Sequence, residues 1–176
     1  MTDDLRFPVG KFARPASHDG YSRSVAMDRI AAAPAELRAA VSGMTDEQLD
    51  TPYRPDGWTA RQVVHHLADS HMHAYLRTKS ALVEDNPDIK AYDENAWAEL
   101  PDGKGPLVSD SLALLDALHA RWVGTFRAMS PEQFSRTMHH SERGDIALDF
   151  ILELYAWHGR HHVAHITGLK NRNGWR

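Results

Sequence analysis

His158 and His162 stand four residues apart in the segment Tyr155-Ala156-Trp157-His158-Gly159-Arg160-His161-His162-Val163-Ala164-His165-Ile166. On a helix such a pair lies one turn apart on a single face, so two imidazoles can close on one metal ion. A second histidine-rich stretch, His65-His66-Leu67-Ala68-Asp69-Ser70-His71-Met72-His73, lies far upstream, and eight of the twelve histidines fall in these two segments. A single half-buried histidine is more often a hydrogen-bonded core residue than a ligand. Two at this spacing, with a second cluster elsewhere in the chain, make a metal site the leading chemical reading.

Composition narrows that chemistry. The 176-residue chain has no cysteine, so it has no disulfide framework and no thiolate-ligated zinc. Any metal must rest on histidine, carboxylate or water. The length fits one domain, 1–176, with 1–17 as an extended N-terminal arm marked by Pro8, Gly10 and Pro15. Hydrophobic residues at 42% and charged residues at 25% are the balance of a soluble globular protein. A net charge of −4 gives no global attraction to nucleic acid, and the basic stretch from Lys170 to Arg176 reads as a solvated end. No apolar run approaches the roughly 20 residues that span a bilayer. The start Met1-Thr2-Asp3-Asp4-Leu5-Arg6 lacks the apolar core of a secretory signal, so a cytoplasmic location is expected.

Helical periodicity ranks the histidines. With His158 at zero and about 100° per residue, the apolar set Leu148, Ile151, Leu152, Tyr155, Ile166 and Leu169 centres at about +60°. His162 falls at roughly +40°, inside that arc, while His165 and His161 fall at roughly −20° and −60°. His158 and His162 are therefore the inward pair. His161 is expected to be exposed, and His165 sits at the margin, as a partner to a ligand or a rim residue. In the upstream cluster His65 reads as solvent-facing. His71 lies within the apolar arc of Val63, Val64, Leu67, Ala74 and Tyr75, with His66 and His73 flanking it. Pattern alone does not choose between His66 and His71.

The elements that must position these residues are helices. Apolar residues at helical spacing predict one helix over about 20–43, which Pro34 should kink or divide. Thr45-Asp46-Glu47-Gln48, Thr59-Ala60-Arg61-Gln62 and Ser130-Pro131-Glu132-Gln133 have the form of capping boxes. The second of these should open a helix to about Glu84 that carries the first cluster. Residues 51–58 read as a loop, and 86–108 as a long connection with a short helix around Asp93–Leu100. A connection of that length suggests a functional cover. Ser109 is expected to cap a helix through Leu112, Leu115, Leu118, Trp122 and Phe126. Residues 137–146 read as a small hairpin or irregular loop, and the last helix as about 147–169. No convincing strand pattern or repeat is found. Four long helices with short extra ones predict an all-α four-helix bundle, whose metal sites are built from facing helices. Trp58, Trp97, Trp122, Trp157 and Trp175 read as core or loop packing rather than a substrate cage.

The segment Gly57-Trp58-Thr59-Ala60-Arg61-Gln62-Val63-Val64-His65-His66-Leu67-Ala68-Asp69-Ser70-His71-Met72 resembles the first metal-bearing helix of the DinB/YfiT superfamily. Arg6-Phe7-Pro8-Val9-Gly10, Asp50-Thr51-Pro52-Tyr53-Arg54, Leu118-His119-Ala120-Arg121-Trp122 and Tyr155-Ala156-Trp157-His158 resemble its YfiT branch, which groups metal-dependent hydrolases. The resemblance covers nearly the whole chain. It implies an up-down-down-up bundle, a homodimer, and one divalent ion, zinc or nickel, held by three histidines. The histidine before Leu-Ala-Asp is the first ligand in that family, which here is His66, and the helix-borne pair falls on His158 and His162.

Three neutral imidazoles leave an ion its full charge and an open position, the arrangement of catalytic rather than structural zinc. Such an ion can bring the pKa of bound water to about 7 or bind an added thiol as thiolate. The peptidase pattern H-E-x-x-H is not met: Gly159 and Arg160 stand between the histidines, with Gly159 in the place of its glutamate. No side chain is assigned as general base. Asp69 is a candidate to orient His66, or equally a surface charge, and Asp93, Glu94 and Glu142 are weaker candidates. The first expectation is a metal-dependent hydrolase acting on a small-molecule substrate. The second is a transferase using a low-molecular-weight thiol, and the third a metal-binding protein without turnover.

Overall fold

The structure is a computed structural model and describes residues 5–15, 18–105 and 107–175. The acidic start at Met1–Asp4, positions 16 and 17 of the arm, and Arg176 of the basic end lie outside the described residues. Four long helices dominate: α1 (Gly20–Val41), α3 (Ala60–Val83), α5 (Val108–Ala128) and α6 (Leu148–Asn173). Two short helices, α2 (Asp46–Leu49) and α4 (Glu94–Ala98), lie in the connections, with a 3-10 turn at Pro131–Ser135.

Side-chain chemistry sets the helix starts. Thr45 and Thr59 accept the amides of Gln48 and Gln62, whose side chains return to the cap amides, so both capping boxes form. The Ser130 box also forms but opens only the 3-10 turn. Ser109 does not cap α5; that helix begins at Val108, with Leu107 at the cap position and no side-chain cap bond. The last helix runs beyond its expected end to Asn173 and stops at Gly174, whose φ of 65° is the left-handed geometry glycine tolerates best. Pro34 does not divide α1. It is buried inside one continuous helix.

Contacts along the helices give the topology. Arg23 bonds Asp149, and Lys170 bonds the Ser42 carbonyl, so α1 and α6 run parallel. His65 meets Ser111 and Thr78 meets Trp122, so α3 and α5 run parallel. Asp28 pairs with Arg127 and Arg38 with Asp116, making α1 antiparallel to α5. Ser70 meets Tyr155 while His66 lies beside His162, making α3 antiparallel to α6. The order is up, down, down, up, as the resemblance implies.

Three short strands appear; two of them form the small hairpin that residues 137–146 suggested, and the third was not visible in the sequence pattern. β2 (Thr137–His140) and β3 (Gly144–Ala147) form an antiparallel hairpin, and β1 (Asp88–Ile89) adds in parallel to β2. The first of them is too short to show any alternation.

Two apolar clusters fill the bundle. One holds Ile30, Trp122, Phe126, Leu148 and Leu152; the other holds Leu37, Val63, Val64, Leu115, Ile166 and Leu169. Where the clusters meet lies a histidine layer: His71 of α3, His119 of α5, and His158 and His162 of α6, with Pro34 of α1 at the same level and His66 of α3 beside it at the edge of the second cluster. Each apolar end anchors the helices, so the histidine layer is held from both sides.

Candidate metal centre

Three imidazoles from two antiparallel helices converge in this layer. His66 of α3 and His158 of α6 bring their Nε2 atoms to 3.4 Å. His162, one turn along α6, completes a group whose ligand atoms all lie within 4.8 Å of one another. The group contains no carboxylate. His66 and His162 are buried and His158 is half-buried.

Burial governs their charge. It pushes His66 down to about 3, with repulsion from His161 adding to the effect. Burial followed by neighbouring imidazoles holds His158 and His162 well below the usual imidazole value. All three are therefore neutral near pH 7 and keep a ring lone pair for ligation. Converging neutral nitrogen donors fit a divalent cation, which would accept electron pairs that otherwise repel.

The neighbours fix the rings. Trp58, delivered by the 51–58 loop, packs obliquely on His66 with ring centres 4.5 Å apart. His71 Nε2 lies 3.0 Å from His158 Nδ1, and His71 Nδ1 lies 2.7 Å from His119 Nε2. His165 Nδ1 lies 3.3 Å from His162 Nδ1. The group opens into a cavity of about 480 Å³ that reaches Tyr92, Arg77 and Arg143, with His140 and Glu142 of the hairpin region on its wall.

Thus His66, His158 and His162 come together, and His71 also points inward but lies behind His158. Other expectations change. His161 is not exposed: only 7% of its surface is accessible, because it stacks on Trp157 and the N-terminal arm brings Phe7 over it. His65 is buried rather than solvent-facing, since the loop before α5 supplies the Gly105 carbonyl at 3.1 Å and α5 supplies Ser111 Oγ at 2.8 Å. His165 is buried, not at a rim, stacked on Tyr53. With His161 and His162 it forms a second group of three nitrogen donors within 4.8 Å.

Asp69 does not orient His66. It lines a separate cavity with His65, Asp102 and Ser111, on the side of α3 that meets α5. Asp93 accepts the Ala96 amide as the cap of α4, whereas Glu94 and Glu142 do line the main cavity. Trp58 belongs to the site as well as to loop packing. Nothing in the spacing of His119 separates it from the apolar face of Leu115, Leu118 and Trp122, so its place behind His71 is visible only in the fold.

A family model described as the DinB superfamily matches residues 29–166. The chain belongs to the DinB superfamily. Among its relatives, a protein of Bacillus cereus (strain B4264) is 49% identical over 175 residues, covering 98% of this chain and 99% of the relative. One from Bacillus mycoides (strain KBAB4) is 48% identical over 172 residues with the same coverage. Both carry the name "putative metal-dependent hydrolase". YfiT from Bacillus subtilis superposes with a TM-score of 0.95 at 47% identity, covering 98% of this chain and 99% of YfiT. That structure is described as a "probable metal-dependent hydrolase with an unusual four-helix bundle topology".

Proposed function

We propose that this protein is a metal-dependent hydrolase of small molecules in which His66, His158 and His162 hold one divalent ion, zinc or nickel. The observation that carries the reading is the meeting of three neutral imidazoles at the wall of an open cavity. The names of close relatives over nearly the full chain support it. An ion so held supplies Lewis acidity, which activates water or polarises a substrate oxygen.

The chain's own residues do the rest. His158 and His162 are presented by one rigid helix and His66 by its antiparallel neighbour, which limits the spread of the donors. Trp58 shields the outer side of His66. The cavity admits a small substrate rather than a polymer and meets it with both aromatic surface, at Tyr92, and guanidinium groups, at Arg77 and Arg143. Among the described residues no carboxylate is hydrogen-bonded to the three imidazoles; Glu94 and Glu142, on the cavity wall, are the carboxylates placed to meet a substrate.

The test is hydrolysis of small esters and amides by zinc- or nickel-loaded protein. Turnover should disappear with a chelator, return with metal, and be absent in His158→Ala. Turnover that saturates with an added low-molecular-weight thiol would replace hydrolysis with thiol transfer. Stoichiometric metal with neither activity would leave a metal-binding protein without turnover.

A further inference from the structure

Every ring nitrogen of the histidine layer behind His158 has a neighbour, and the order of those contacts leaves one consistent assignment of protons. The run begins at Pro34. In a helix the carbonyl of Ile30 would accept from the amide four residues on, but proline has no N–H. That carbonyl is instead 2.6 Å from Nδ1 of His119. A carbonyl only accepts, so His119 carries its proton on Nδ1 and its Nε2 is an acceptor. At 2.7 Å from that Nε2, His71 Nδ1 must donate, which leaves His71 Nε2 as the next acceptor. At 3.0 Å from it, His158 Nδ1 must donate in turn. The lone pair of His158 is thereby placed on Nε2, the atom 3.4 Å from His66 Nε2.

A second, shorter run serves the other α6 imidazole. His165 Nε2–H donates to the Arg6 carbonyl at 3.2 Å, so His165 Nδ1 accepts. His162 Nδ1, 3.3 Å away, is its donor, and the His162 lone pair lies on Nε2. The same contacts argue against a second cation in the His161–His162–His165 group. His162 Nδ1 is occupied by a proton there, and the Arg54 and Arg172 charges act on His165.

We infer that His71, with His119 behind it, and His165 are positioning residues that lock His158 and His162 as Nδ1–H tautomers, the orientation being set by the Ile30 carbonyl that Pro34 leaves free and by the Arg6 carbonyl. This rests on the proposed metal reading for its purpose, but the tautomers themselves do not depend on a metal. Partners of this kind fix ring orientation, and their loss typically costs 10–100-fold in metal affinity.

The experiment is long-range ¹H–¹⁵N correlation on histidine-labelled, metal-free protein near pH 7, followed by zinc titration. His119, His71, His158 and His162 should each show Nδ1–H, and His165 should show Nε2–H. Nε2–H on His158 or His162 in the metal-free protein would overturn the inference. On zinc addition, Nε2 of His158 and His162 should shift while Nδ1–H persists. If wild type takes no zinc, the metal reading fails, and the metal-free tautomers still decide the relay.

A variant pair gives a second readout. His71→Leu removes the acceptor, whereas His71→Gln places a carbonyl oxygen near the position of Nε2. Zinc affinity by chelator competition should fall about 10–100-fold in the first and recover substantially in the second. Unchanged affinity in His71→Leu, or equal loss in both variants, would contradict the positioning role. Should His71→Leu not fold, the wild-type tautomers remain the deciding result.

Discussion

Burial, reinforced by the Asp102 carboxylate, pushes the Asp69 carboxyl up to about 6 from the ordinary 3.8. Folded protein therefore holds this proton more tightly than unfolded protein. Stability through this group should fall as pH rises from 3.8 to about 6, and the penalty persists above that. Asp69→Asn should raise the unfolding midpoint at pH 8 but not at pH 4, measured by urea denaturation at both. An equal effect at the two pH values would refute the shift. A second residue-scale contrast concerns α6. His158→Ala should lose the bound ion, while His161→Ala should retain it with a lower melting temperature, because His161 packs on Trp157 and is not one of the group His66, His158 and His162. Metal analysis of both variants checks this. The angular argument located His158 and His162 because both lie on one helix, where about 100° per residue fixes direction. It failed for His161 and His65 because their covers are the N-terminal arm and the loop before α5, remote segments that no helical wheel contains.

At the scale of elements, the two parallel helices α1 and α6 approach closely at Gly159. A Cβ there would lie 3.0 Å from Ala33 Cβ. Gly159→Val should therefore destabilise the bundle by about 1–3 kcal/mol through overpacking, read by chemical denaturation. No change in stability would mean that the helices have room to part at this level. The capping boxes made two helix starts readable from sequence, since each needs only residues three apart. The β2–β3 hairpin was half readable, as a small hairpin or irregular loop over 137–146, because its partners lie within ten residues of one another; β1 was not, since it is two residues long and its partners on β2 are remote in the chain. Pro34 was visible as a proline in a helical pattern, but its consequence was not. The carbonyl it frees finds its donor on α5, a contact that belongs to the tertiary structure.

At the scale of the whole molecule, the site is a polar seam between two apolar clusters. The helices that carry its imidazoles are packed at both ends. The bundle class was legible because four helical patterns bury an apolar face each, whereas the up-down-down-up order came from the family resemblance and is now traced through particular contacts. No helix among the described residues is long and apolar enough to cross a membrane. The homodimer implied by the resemblance is carried forward as a proposal, and sedimentation equilibrium should give twice the chain mass; the mass of one chain would remove it.

The most direct test of the central claim is metal content per chain. Protein without a polyhistidine tag would be incubated with zinc or nickel, freed of excess ion, and compared with His66→Ala/His162→Ala. About one ion per wild-type chain and none in the double variant is the expected result. No retained ion in folded wild type, or equal content in both proteins, would contradict the three-histidine site.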